Sequence, residues 1–324
     1  MFKKIIEKTY KDLFGSRCDD PGYIKYLTYK DFPSMKEEKI EFESMSTTIR
    51  GGLYYNKESL DDYSRIIIFC HGMGGGYLSY MTEIGILVDN GFLVLAYDYS
   101  ATFSSSGESL MGFSLPLVNL KSAYNYIKSN DSLKEKTISV MGHSWGGFTA
   151  LNSLNLFNDI THVVALSAPL SYKAMNKENF KLLNPIIYPS ILKHECEIFG
   201  DIAKVDGLNV INKDSKLLSV YSTDDNTVID KYNYLPLRKH DHNKNHSMII
   251  MTDRKHNPTY TKAAVEKLND LFSRITKYKS ENKTPAEIKE LLKDIEWEKV
   301  VEQDMDVWNK IIDFLNSWKL NINT

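Results

Sequence analysis

The chain has 324 residues, 42% of them hydrophobic and 25% charged, and a formal net charge of -2. These values are globular, and the near-neutral balance gives no electrostatic reason to expect nucleic acid or an anionic membrane as partner. The three cysteines, Cys18, Cys70 and Cys196, are too few for a disulfide framework and fit a reducing compartment, so a cytoplasmic location is expected.

Residues 1–35 form a charged preamble. Phe2, Ile5, Ile6 and Tyr10 predict a short amphipathic helix, and its narrow apolar face suits packing on a core better than a membrane. No signal-peptide apolar stretch stands there. Residues 38–56 read as a hairpin, with Ile40 and Phe42 alternating with Glu, and Gly51 and Gly52 expected to supply the bend.

The pattern then changes. Runs at 65–70, 91–97, 137–141, 162–167, 216–221 and 247–251 are apolar without alternation, as in strands buried on both faces of a parallel sheet. They are far too short to span a bilayer. Helical patterns lie between most of them; Leu117, Leu120, Ala123, Tyr124 and Ile127 share one face. This alternation predicts an α/β fold, a mostly parallel central sheet flanked by helices. The core is expected at 36–168 and 215–258. Residues 169–214, too long for a simple crossover, are expected to form a small helical cap.

Residues 259–300 predict a C-terminal helical insert. Ala264, Leu268, Leu271, Phe272 and Ile275 form one stripe, and Ile288, Leu291, Leu292 and Ile295 another. Thr284, Pro285 and Glu287 mark a helix start. The insert is read as a possible second lid, under which bulky substrates would be disfavoured; the alternative is a hairpin packed away from the site. Residues 301–324 are expected to form the last core helix, from Asp304 through Trp308 to Trp318.

Chemistry concentrates at four places. Gly142-His143-Ser144-Trp145-Gly146 is a G-x-S-x-G sequence between a strand and a helix, the setting of a nucleophile elbow. His71-Gly72-Met73-Gly74-Gly75-Gly76 follows the first buried strand, where glycines let backbone approach a ligand. The N–H groups of Met73 and Trp145 are the expected oxyanion donors. No Gly-Lys-Ser/Thr follows, as a phosphate loop needs, and Tyr77 stands where a dinucleotide fingerprint needs its third glycine.

Asp224 and Asp225 follow the fifth run, and His256 follows the sixth. Both loops leave strand carboxyl ends, where open parallel sheets build their sites. His240, Asp241, His242 and His246 offer metal-ligand types, but a solvated loop is the better reading. No cofactor and no metal are expected.

These elements resemble the α/β-hydrolase superfamily, in its branch of cytoplasmic acyl-ester hydrolases and serine aminopeptidase-like proteins. The resemblance runs from about Ile40 to Leu320 and includes Asp98, Ser105-Ser106-Gly107, Gly142–Gly147 as Gly-His-Ser-Trp-Gly-Gly, and His256. It implies an α/β-hydrolase fold and a triad of Ser144, Asp225 and His256, the spacing from Ser222 to Val228 selecting Asp225 over Asp224. Ser222 stands where the family usually has Gly, and the last helix comes late.

The implied activity is serine-dependent hydrolysis of a carboxylic ester, with a small-molecule acyl substrate as partner and neither nucleic acid nor membrane. Phe180, Tyr188 and Phe199 of the cap are expected to contact the acyl or aryl group. The alternatives are a peptidase of short peptides, in which Glu195 or Glu197 would hold an α-amino group, and a non-catalytic binding protein on the same fold.

Overall fold

The computed structural model describes residues 2–211, 214–240 and 243–317. Their eight strands are β1 (Lys36–Ser44), β2 (Thr47–Tyr55), β3 (Arg65–Cys70), β4 (Leu93–Tyr97), β5 (Thr137–His143), β6 (His162–Leu166), β7 (Lys216–Ser222) and β8 (His246–Met251). They form one sheet in the order β1-β2-β4-β3-β5-β6-β7-β8. β1 and β2 pair antiparallel, as do β2 and β4; from β4 through β8 every pair is parallel. The unalternating apolar runs are explained by this burial: every residue of β3, β4 and β6 is buried.

The hairpin departs from its sequence reading. Its turn is at Met45 and Ser46, both in the left-handed region at φ 47° and 62°. Gly51 and Gly52 lie inside β2, paired with Tyr97 and Ala96. A Cβ at Gly51 would collide with the Ala96 carbonyl, so this glycine serves close strand approach.

The helices are α1 (Phe2–Phe14), α2 (Met81–Asp89), α3 (Leu115–Ser129), α4 (Trp145–Leu156), α5 (Tyr172–Phe180), α6 (Asn184–Phe199), α7 (Tyr234–Arg238), α8 (Lys262–Ser280), α9 (Pro285–Leu291), α10 (Trp297–Val300) and α11 (Met305–Asn316). They cover both faces of the sheet. Ile66, Ile68 and Cys70 of β3 join one apolar cluster with α3 and α4. Ile67 and Phe69, pointing the opposite way, join another with α2 and α11. Tyr10 and Phe14 of α1 are buried in the first cluster. The second holds Val307, Trp308, Ile311, Ile312 and Leu315 of α11; Trp318 lies outside the described residues.

Helices α8 to α10 carry a separate small core. Leu271, Ile275, Ile288, Leu292 and Val300 pack with Tyr23 from the N-terminal segment. A two-stranded stem ties this insert to the body: Tyr260 bridges Gln303, Thr261 N–H donates to Glu302 O (3.0 Å), and Asp304 N–H donates to Thr259 O (2.7 Å). The helix start read at Thr284 is a full capping box with Glu287. The apolar stripe of α8 is only partly covered, since Phe272 is 55% exposed. No described helix is long and apolar enough to cross a membrane.

Candidate active site

Register brings the loops together. Cys70 of β3 pairs with Gly142 of β5, and Ser222 of β7 with Met251 of β8. The His71–Gly76 loop, the Ser144 turn, the Asp225 loop and the His256 loop therefore leave one edge of the sheet side by side.

Ser144 sits between β5 and α4 at φ 57°, ψ -119°, a conformation costly for a residue with a Cβ. The neighbouring glycines make it possible. A Cβ on Gly142 would strike the Gly146 carbonyl, and one on Gly146 the Cys70 carbonyl. The turn is held by Ser144 N–H to Leu166 O (2.9 Å) and by Phe148 N–H to Ser144 O (2.8 Å).

His256 Nε2 lies 2.8 Å from Ser144 Oγ, and His256 Nδ1 lies 2.8 Å from Asp225 Oδ2. The acceptor carboxyl assigns the proton to Nδ1, leaving Nε2 to accept from the serine. Asp225 Oδ1 accepts from the N–H groups of Thr227 (2.8 Å) and Val228 (3.0 Å), and the side chain is 1% exposed. It is therefore aimed and immobilised.

Asp224, the other carboxyl in the sequence reading, does something else. Its Oδ1 accepts from Ser222 Oγ (2.5 Å), Lys255 N–H (3.0 Å) and Arg254 N–H (3.2 Å). Burial opposes its charge, yet these hydrogen bonds hold the carboxyl below its ordinary range. Asp224 thus fastens the His256 loop, and Ser222, where the family usually has Gly, supplies one of the bonds. Arg254 extends the anchorage through Asp304, at 2.9 Å, to the start of α11.

The glycine loop abuts the serine: a Cβ at Gly72 would come 3.4 Å from Ser144 Cβ. Met73 follows, 44% exposed. Trp145 opens α4, where first-turn N–H groups lack intrahelical acceptors; its indole N–H donates to Phe113 O (2.8 Å).

Sequence reasoning missed a further network. Gly72 N–H donates to Tyr80 Oη (3.0 Å), Tyr80 Oη–H to His143 Nδ1 (3.0 Å), and His143 Nε2–H to the carbonyl of His256 (2.6 Å). Because a carbonyl only accepts, the tautomer and the direction of the chain follow. Burial, with the nearby His256 ring adding to it, lowers the His143 pKa to about 3, so this ring stays neutral. Two side chains thereby splint the glycine loop to the His256 loop. His143 stood in view as the variable residue of the elbow; no periodicity marks Tyr80.

The cap residues fall elsewhere than expected. Phe180 and Phe199 pack against the main core cluster, and neither they nor Tyr188 line the cleft at His256. Glu195 is fully buried and accepts from Tyr10 Oη (2.7 Å), Phe113 N–H (2.7 Å) and Ser114 Oγ (2.7 Å). This carboxyl ties α6 down and has no room for a substrate ammonium; Glu197 is an exposed surface side chain on the same helix.

A cleft of about 910 Å³ opens on His256, His143 and Gly74. Residues 21 and 23–27, the 78–82 segment, Asn226, Thr227 and Lys255 also line it, as does the insert through Leu268, Phe272, Ile275 and Trp297 among others. Among the described residues no group of three His, Cys, Asp or Glu side chains could hold a metal. Asp241 and His242, weighed as ligands, lie outside them. His246 is buried at the start of β8, with Nε2 3.3 Å from Ser219 Oγ.

This fold and elbow define an α/β-hydrolase. Residues 61–257, more than half the chain, match the family described as serine aminopeptidase, S33, and the chain belongs to that family. No curated protein matches it. Among solved structures it is similar to an esterase of Pyrococcus furiosus, at 22% identity and a TM-score of 0.56 over 81% of this chain and 97% of that one. An acetyl xylan esterase of Paenibacillus sp. R4 follows at 15% and 0.54, over 72% and 82%. An acylaminoacyl peptidase of Pyrococcus horikoshii follows at 14% and 0.53, over 70% and 39%. At such identities the likeness is one of fold.

Proposed function

We propose that the protein hydrolyses a carboxylic ester through an acyl-enzyme on Ser144. The observation that carries this reading is the unbroken hydrogen-bonded chain Ser144–His256–Asp225 on a strained elbow. Ser144 Oγ attacks the carbonyl carbon while His256 Nε2 takes its proton. The oxyanion that forms accepts hydrogen bonds from the N–H groups of Met73 and Trp145. Its collapse breaks the ester C–O bond, and His256 returns the proton to the departing alcohol oxygen. Water repeats the sequence at the acyl carbon, releasing the acid and restoring Ser144. Asp225 keeps the imidazole in its tautomer and stabilises the imidazolium.

Charge supports an ester over a peptide with a free amine. Lys25, Lys255 and Lys279 line the cleft against a single acidic residue, Asp19, and Glu195 is occupied. A fluorophosphonate probe followed by intact mass should label the protein once, and Ser144→Ala should abolish labelling. Turnover of p-nitrophenyl acetate should fall on the order of a thousandfold or more in that variant. An unlabelled wild-type protein would mean a binding protein on this fold. Faster cleavage of aminoacyl-anilides than of esters would favour the peptidase.

A further inference from the structure

His256 stands on the wall of the cleft, whereas Ser144, Met73 and Trp145 are not among its lining residues. In ester hydrolysis the leaving oxygen must come within hydrogen-bond reach of His256 Nε2, because that nitrogen protonates it. The alcohol portion of a bound ester therefore extends past the His256 side of the serine. His256 is the member of the Ser144–His256–Asp225 set that lines the cleft, with His143 and Gly74 beside it.

The two facing walls carry a group of apolar and aromatic side chains, with Lys25, Asn269, Thr276 and Lys279 among them. Tyr23 and Tyr26 stand on one side, and Leu268, Phe272, Ile275 and Trp297 on the other. Phe272 keeps 55% of its surface exposed, although its neighbours Leu271 and Ile275 are buried in the insert's own core. Grouped with Leu268 and Trp297 on the cleft wall, this ring belongs to an apolar patch open to a ligand. The volume, about 910 Å³, lies near the top of the roughly 300–1,000 Å³ of sites that bury a drug-sized ligand. The two facing walls come from residues before 61 and after 257, outside the segment that matches the family.

Resting on the ester-hydrolase reading, we propose that this cleft binds the alcohol portion of the substrate, and that this portion is a bulky apolar or aromatic group. The insert then acts as the specificity wall for the leaving group, with Phe272 and Trp297 as its principal contacts.

Two isomeric esters test this without changing overall hydrophobicity: octyl acetate, with its bulk on the alcohol, and ethyl octanoate, with its bulk on the acid. Released acid is titrated at constant pH. The wild-type protein should show kcat/KM at least about tenfold higher for octyl acetate. Phe272→Ala and Trp297→Ala should each lower the octyl acetate to ethyl octanoate ratio by about tenfold, since each removes one large apolar contact. Phe272 is exposed, so its variant keeps the test open should Trp297→Ala fail to fold. Equal rates, a preference for ethyl octanoate, or an unchanged ratio in Phe272→Ala would overturn the assignment. Hydrolysis of p-nitrophenyl acetate with neither isomer cleaved would overturn it while leaving the esterase reading standing. Failure on all three esters would bring down the esterase reading itself.

Discussion

Ser144, His256 and Asp225 meet because each sits at the end of a strand, but each is held there by its own local device. For Asp225 the device is a pair of N–H donors on Oδ1, which leaves Oδ2 for His256. Asp225→Asn would present an amide to Nδ1 and favour the wrong tautomer. Turnover is expected to fall by about ten thousandfold, as in other serine triads. Asp224→Asn should cost far less turnover and show chiefly as loosening of the 252–257 loop, read by hydrogen exchange at Arg254 and Lys255. The reverse ranking would exchange the two roles. Tyr80 is a positioning residue, acting through Gly72 and His143. Tyr80→Phe leaves the Gly72 N–H without its acceptor and frees the loop that carries Met73. The expected result is a kcat lower by roughly tenfold with KM much less affected, and Tyr80→His, which retains a polar ring, should recover part of the loss. Equal changes in kcat and KM would argue for a substrate contact instead.

At the scale of elements, Glu195 is the clearest case of a side chain whose role depends on what folds against it. It joins α6 to Tyr10 of α1 and to the 112–114 loop that starts α3. Each buried donor left without an acceptor costs about 1–3 kcal/mol. Glu195→Ala should therefore destabilise the protein by about 3 kcal/mol or more in urea unfolding, and Tyr10→Phe by about 1 kcal/mol. A change below about 1 kcal/mol for Glu195→Ala would show that the cap does not depend on this tie. The central strands, the elbow helix and the capping box at Thr284 were legible from residue patterns, because their determinants are local. The hairpin turn was not. Met45 and Ser46 lack the glycine that normally advertises positive φ, while the conspicuous Gly51 and Gly52 answer to a neighbouring strand. The α8 stripe was legible as a stripe, yet it could not reveal that Phe272 faces a cleft.

At the scale of the whole molecule, α2 buries a carboxyl against the stem of the insert. Glu83 is 2% exposed, and burial pushes its pKa up to about 8 despite hydrogen bonds from Gln303 and Tyr260. Its Oε2 has no hydrogen-bond partner among the described residues. The folded protein thus keeps this proton to higher pH than the unfolded chain, whose reference value is 4.5. Between those values the folded state binds more protons, so this group's contribution to stability is full at acid pH and falls as pH rises towards about 8. Glu83→Gln removes the penalty. The gain in Tm over wild type should be larger at pH 8 than at pH 5, by a few degrees. A pH-independent difference would show that Glu83 ionises freely in the folded protein.

What the sequence by itself determined was the parallel sheet, the serine on its elbow, the glycine loop beside it, and the histidine after the last strand. Each depends on near neighbours: a buried strand needs unbroken apolar residues, and a turn at φ 57° needs glycines two positions away on either side. Tertiary structure decided the contacts made across long stretches of chain. It gave Asp224 its part in fastening the His256 loop, beside the Asp225 that spacing had already selected. It spent Glu195, Phe180 and Phe199 on packing, and it joined Tyr80 to His143. It also set residues 21–27 opposite the insert, more than 230 residues further along, so that a cleft lies between them at His256. No pattern within either segment encodes that meeting, because neither builds the cleft alone.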